Sequence, residues 1–155
     1  MIFKSHFYGW KIVAICTVSM TLGYGVRHSF SVFYPHILEE FSESHGSTAL
    51  ILSIHLFVYG IVCPFIGTLT DHWKPKNTIT FGAIILGIST SSCSISTEIW
   101  HFYLIFGFFT PIGLACIGSP VVTPTIINWF KKSRGLAYGI AQMGGGLSFI
   151  FAIYA

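Results

Sequence analysis

Two long runs without a formal charge, Ser47 to Thr70 and Thr78 to Thr97, meet at one short polar turn, Gly67 to Ile79, which reads GTLTDHWKPKNTI. The hydrocarbon core of a bilayer is about 30 Å thick and takes roughly 20 apolar residues of helix to cross. Each run is long enough, so the turn between them, with Asp71, Lys74 and Lys76, belongs at one membrane face. Charged residues make up 8% of the chain and hydrophobic ones 53%, whereas soluble domains carry about 25% charged residues. So few charges cannot solvate a water-soluble globule. The chain reads as an integral, all-α membrane protein.

The N-terminal stretch MIFKSHFYGWK leads from Lys4 and Lys11 into apolar sequence, as a secretory leader would. The apolar run continues past Arg27 to Phe33 with no small-residue cleavage site, so it reads as an uncleaved first helix over about 10–34. Trp10 and Tyr34 would sit at its two interfaces. Arg27 is the one formal charge inside any span. It lies about 22 Å along the helix from Ile12, in the far half of the bilayer. Ser19, Gly23 and Arg27 share a face at spacing four, and Thr17, Thr21 and Tyr24 lie on adjoining strips. A guanidinium facing lipid costs about 2.5 kcal/mol or more. Arg27 therefore either faces a protein interior or wet cavity, or snorkels to the outer headgroups. His28 follows about 100° further round the helix.

Of the eight Lys and Arg residues, all but Arg27 fall in the N-terminus, the Asp71 turn or the Lys131-Lys132-Ser133-Arg134 loop. The intervening links hold Glu39, Glu40, Glu43 and Glu98 and no basic residue. The positive-inside rule places the N-terminus, the Asp71 turn and the Arg134 loop in the cytoplasm. Helices over about 10–34, 47–70, 78–97, 100–128 and 135–155 satisfy that alternation. Lys131 and Lys132 read as topological anchors.

In the second helix Ser53, Gly60 and Gly67 form a strip of small residues seven apart, along which another helix can approach closely. His55, Tyr59 and Cys63 follow a different face at spacing four; His55 is either neutral and hydrogen-bonded or lines a cavity. The hydroxyl-rich end of the third helix, STSSCSIST, suits bonds back to the preceding turn. The fourth helix carries Pro111, Pro120 and Pro124 with Gly107, Gly113 and Gly118, so it should bend or break and have its freed carbonyls satisfied by neighbours. In the fifth, Gly144-Gly145-Gly146 has no following Lys-Ser/Thr, which excludes a phosphate loop. Tyr138 and Gln142, one turn apart there, are the hydrogen-bonding pair placed deep enough to meet a solute.

Cys16, Cys63, Cys93 and Cys116 fall in four different helices without a CxxC pair, and the seven histidines lack ligand spacing. Neither a nucleophile elbow nor a carboxylate pair is present. No metal, cofactor, nucleic-acid partner or enzymatic chemistry is implied.

Gly67-x-Leu69-x-Asp71 followed by basic residues resembles the turn between helices two and three of the major facilitator superfamily. Gly9-Trp10, the run Tyr24-Gly25-Val26-Arg27-His28-Ser29-Phe30-Ser31-Val32-Phe33, and Trp129-Phe130-x-x-x-Arg134-Gly135-Leu136-Ala137-x-Gly139 resemble its monocarboxylate and oxalate/formate porter branch. These motifs span almost the whole chain. His72 stands where the family has an arginine and Lys74 where it has a glycine, which weakens the charge cluster of the turn; Pro75 and Lys76 fit the branch's variant loosely.

The resemblance implies a twelve-helix fold of two six-helix halves, of which this chain supplies about five helices of the N-terminal half; helix six and the C-terminal half would be missing partners. It implies a carrier of small organic carboxylates in a plasma or inner membrane, coupled to a proton or an anion. Arg27 would contact the anion, and Tyr24, His28, Tyr138 and Gln142 are the other candidate substrate-binding residues. Gly67, Leu69, Asp71, Lys76 and Arg134 would form a conformational latch on the cytoplasmic side. Competing readings are a superfamily carrier for a drug or a sugar, and a non-transporting split or truncated subunit.

Overall fold

The computed structural model describes the backbone of residues 3–41, 45–93, 98–130 and 133–154, and the side chains of 8–35, 46–93, 98–130 and 133–150. Glu43, Lys131, Lys132, the 94–97 end of the expected third span and Ala155 lie outside the described residues, as do the side chains of Lys4, Glu39 and Glu40. The described residues form helices α1 (Phe3–Phe41), α2 (His45–His72), α3 (Pro75–Cys93), α4 (Ile99–Leu104), α5 (Thr110–Ile117), α6 (Ser119–Trp129) and α7 (Arg134–Tyr154). A π-helical turn, Ile105–Phe109, joins α4 to α5. Among the described residues there is no strand.

α1 runs through Pro35 instead of stopping at Tyr34. A proline inside a helix removes one hydrogen bond and bends the axis without ending it. α2 likewise reaches His72, two residues past the expected end of its span. Tyr8–Pro35, Gly46–His72 and Ile99–Trp129 are each long and apolar enough to cross a membrane. α3 and α7 are shorter, at 19 and 21 residues.

What faces outward confirms a membrane protein. Ile15, Val18 and Leu22 on α1, Phe57, Ile61 and Phe65 on α2, and Phe81, Ile84 and Ile88 on α3 form exposed apolar stripes at helical spacing, with Phe57 70% exposed. Water-soluble surfaces rarely carry such patches, whereas lipid welcomes them. Hydroxyls are kept from lipid by bonding back one turn. Thr17 donates to the Val13 carbonyl (2.9 Å), Thr21 to that of Thr17 (2.9 Å) and Thr125 to that of Val121 (2.7 Å).

The interrupted rod Ile99–Trp129 is the centre of the bundle, with 67% of its most apolar window buried against 28% and 22% for α1 and α2. Its two interruptions follow from its prolines. Pro111 stands in the first turn of α5, directly after the π-helical turn. Gly118 is extended (φ −91°, ψ −156°), and Pro120 stands in the first turn of α6, where a missing N–H costs nothing. Three apolar clusters hold the rods. Val13, Cys16 and Met20 of α1 meet Ile126 of α6 and Ala137 and Ala141 of α7; Phe30 and Ile51 meet Phe106; Ile66 meets Cys116 and Val121. α3 meets α5 backbone to backbone: a methyl group on Gly82 would lie 2.5 Å from Cys116 Cβ and 2.9 Å from the Gly113 carbonyl.

Aromatic residues collect at both ends. Tyr8 lies against Trp129 (centroids 5.6 Å) and Trp10 packs edge-on to Phe130 (5.6 Å, 73°), so the start of α1 meets the end of α6. Trp100 and Tyr103 pair at the opposite end (5.7 Å). Such belts mark the two interfaces of a spanning bundle.

Candidate functional site

α1 and α7 run parallel. Thr17 lies against Ile140 and Gly144, Tyr24 against Gly145, and His28 edge-on to Phe149 (5.0 Å, 81°). This register decides which of the expected site residues can meet. Tyr24 and His28 stack one turn apart on α1 (6.4 Å, 28°), and Arg27 is half-buried beside them. Tyr138 and Gln142 lie apart from them. They lie on the part of α7 that is level with the middle of α1, around Val13 to Met20, about 10–15 Å below Arg27 at 1.5 Å per residue. Tyr138 packs against the Val13 and Cys16 cluster, and Gln142 is exposed on the far side of α7.

In their place the fold brings α2 and the broken fourth rod to the α1 cluster. The Tyr24 hydroxyl is 3.3 Å from Ser119 Oγ, at the Gly118 break. The Tyr59 hydroxyl interacts with both Tyr24 and Cys63. One turn away, His55 is fully buried. Its Nδ1 lies 2.9 Å from the Phe106 carbonyl oxygen, and its ring stacks on that of Phe106 (5.0 Å, 26°), which in turn stacks on Phe30 (4.5 Å, 20°). The Arg27 guanidinium bears electrostatically on both His28 and His55.

The Phe106 carbonyl needs this histidine. Within the π-helical turn the Thr110 N–H bonds to the Ile105 carbonyl. In that wide register the next donor, for Phe106, would be residue 111, and Pro111 has no N–H. His55 Nδ1–H takes the vacant place. We expect His55→Leu to lower stability by about 1–3 kcal/mol, because it strands a buried carbonyl. His55→Gln should lose less, since its amide can donate; thermal melting of the two variants in the same detergent checks this.

Arg27 is the only formal charge away from the ends of the spans, and among the described residues no carboxylate pairs with it. A guanidinium of this kind has free donors in the paired geometry that suits a planar anion.

The elements of the expected latch gather at the other end. Gly67 and Leu69 are half-buried on α2, while Asp71, Lys76 and Arg134 are exposed. Arg134 donates from Nε to the Phe130 carbonyl (2.8 Å), closing the end of α6. Among the described residues no ion pair joins Asp71 to either cation.

The Major Facilitator Superfamily matches residues 13–155. The chain belongs to that superfamily. It is similar to MFS-type transporter 1 of Ophiocordyceps sp. (strain BCC 1869), 29% identical over 91% of this chain and 32% of that protein. It is also similar to Monocarboxylate transporter 12 of Homo sapiens, at 30% over 94% of this chain and 28% of that protein. Monocarboxylate transporter 13 of Bos taurus stands at 30% over 94% and 34%. The chain thus spans about a third of the length of the curated relatives it matches. No solved structure gives a significant match.

Ser119 and the Phe106 carbonyl were absent from the residues expected at the site. The spacing of His55, Tyr59 and Cys63 signals one inward face of α2. Which atoms that face meets depends on where the fourth rod breaks.

Proposed function

We propose that this superfamily member works as a secondary active carrier of small organic anions, by alternating access, with Arg27 as the anion contact. The observation that carries the reading is the unpaired guanidinium, held in a membrane-embedded cluster with Tyr24, His28, Tyr59 and Ser119. A guanidinium binds a carboxylate through two parallel charged hydrogen bonds, so it selects planar anions over neutral or cationic solutes. The names of the monocarboxylate transporters among the relatives support that substrate class. Tyr138 and Gln142, lower on α7, belong to the solute path and not to the anion contact. Superfamily carriers place their site between two halves; here five crossing helices, with the N-terminus in the cytoplasm, would form one wall and a second half the other.

The substrate class is tested by uptake of radiolabelled acetate into proteoliposomes holding the full-length protein. Unlabelled pyruvate should compete, and its methyl ester, glucose and a lipophilic cation should not. Competition by the ester or by glucose as strong as by pyruvate would overturn the anion reading.

The exposed Asp71 turn is proposed as the cytoplasmic latch, with Gly67, Leu69, Lys76 and Arg134. A carboxylate near a helix N-terminus gains about 0.3–1 kcal/mol, enough to bias a near-balanced equilibrium several-fold. Asp71→Asn should shift the protein toward the inward-open form. Thiol labelling of single-cysteine variants from the two sides of the membrane reads that ratio, and an unchanged ratio removes the latch.

A further inference from the structure

His55 does more than cap a carbonyl. The carbonyl of Phe106 can only accept, so the hydrogen sits on Nδ1, and a neutral imidazole then carries a lone pair on Nε2. That Nε2 is sealed from solvent and has no hydrogen-bond partner. A buried acceptor without a donor is unfavourable, and a glutamine amide could also donate to a carbonyl. What imidazole adds is a second position that can gain a proton without breaking the Nδ1–H bond that holds the π-helical turn.

We propose that His55 is the proton-binding residue of the carrier, its Nε2 taking up one proton when a carboxylate occupies Arg27. This rests on the anion reading of Arg27. Among the described residues, Arg27 is the formal charge that acts on the ring from α1, with the ionisable His28 next to it. The π-helical turn presents the Phe106 carbonyl and ring, and α2 itself presents Tyr59 one turn on and Cys63 beyond. With Arg27 uncompensated, a second cation beside it in a medium of low dielectric is opposed. A carboxylate on Arg27 neutralises that charge and removes the opposition. The proton comes from water on whichever side the site faces; the Nε2–H bond is the only covalent bond formed, and none in the substrate breaks. The empty site carries the charge of Arg27 alone. The loaded site carries Arg27, the carboxylate and protonated His55, which sum to the same value. Loaded and empty forms therefore cross the membrane field with equal cost.

The probe is acetate, titrated calorimetrically into the full-length protein in lipid nanodiscs at pH 7, in phosphate and in Tris, whose ionisation heats differ. About one proton should be taken up per acetate bound. His55→Gln should still bind acetate but lose the proton uptake. Uptake that survives in His55→Gln overturns the assignment. Acetate binding through Arg27 without any proton uptake overturns it too, and leaves the anion reading standing; no acetate binding at all overturns both. Should His55→Gln fail to fold, the wild type labelled with nitrogen-15 in its histidine rings decides. One ring must pass from the Nδ1–H form to the doubly protonated form on adding acetate, and the absence of that change overturns the proposal.

Discussion

Arg27→Gln is expected to cut carboxylate transport by about 100-fold or more at unchanged expression. Glutamine keeps a donor but loses the charge and the paired geometry. Removing one partner of a buried, hydrogen-bonded charge pair costs about 2–5 kcal/mol, and about 2.7 kcal/mol is already 100-fold. Arg27→Lys separates charge from geometry: it keeps the cation but loses one of the two parallel bonds, so a loss nearer 10-fold is expected. The neutral variant should also remove a cost from the empty protein, because an uncompensated guanidinium no longer has to be held inside the membrane. Lower transport together with an equal or higher melting temperature is therefore the signature of a binding residue. Lower transport with a lower melting temperature would instead indicate a structural cation. The measurement is initial uptake rate beside thermal melting, on the same purified protein.

Gly144→Val should be the most damaging of the three substitutions possible in the Gly144-Gly145-Gly146 run. A Cβ on Gly144 would lie 2.5 Å from the Thr17 carbonyl oxygen and 3.0 Å from Thr21 Oγ1. The first of these is backbone, so relief requires α7 to move off α1, which opens the cluster of Val13, Cys16 and Met20. Overpacking of this kind costs about 1–3 kcal/mol and more where backbone must shift. Gly145 has only the Tyr24 ring at 3.6 Å, an ordinary contact, and Gly146 has nothing within 4 Å. Gly146→Ala should be neutral or gain up to about 1 kcal/mol from helix propensity. The graded order of melting temperatures, 146 above 145 above 144, checks the parallel register of α1 and α7. Equal effects at all three positions would contradict it.

The triple glycine shows what a sequence can and cannot disclose. That it is no phosphate loop follows from its neighbours alone. Which of its members touches α1 follows only from the register of the two helices, set by contacts such as Thr17 with Ile140. Where Tyr138 and Gln142 stand relative to Arg27 depends on the same register. Their depth along α7 is readable from the chain, but their level against α1 is not, and a parallel pairing separates them from Arg27. Conversely, Tyr24, Arg27 and His28 cluster because they share one helix, where spacing is geometry. The break in the fourth rod was legible from Pro111, Gly118 and Pro120, yet its consequence was not. A histidine on α2 that meets the freed carbonyl of Phe106 needs the π-helical turn to exist first. Gly60 and Gly67, read as a strip for a close helix neighbour, have nothing within 4 Å among the described residues.

The central claim is that the protein carries small carboxylates by exposing one site alternately to the two sides. Counterflow tests it most directly: proteoliposomes with the full-length protein are loaded with unlabelled pyruvate and diluted into a trace of labelled pyruvate, without an ion gradient. The account predicts transient accumulation of label above the external concentration, and none when the vesicles are loaded with pyruvate methyl ester or glucose. Label that merely equilibrates, whatever is inside, would contradict a carrier; accumulation with glucose inside would contradict an anion site.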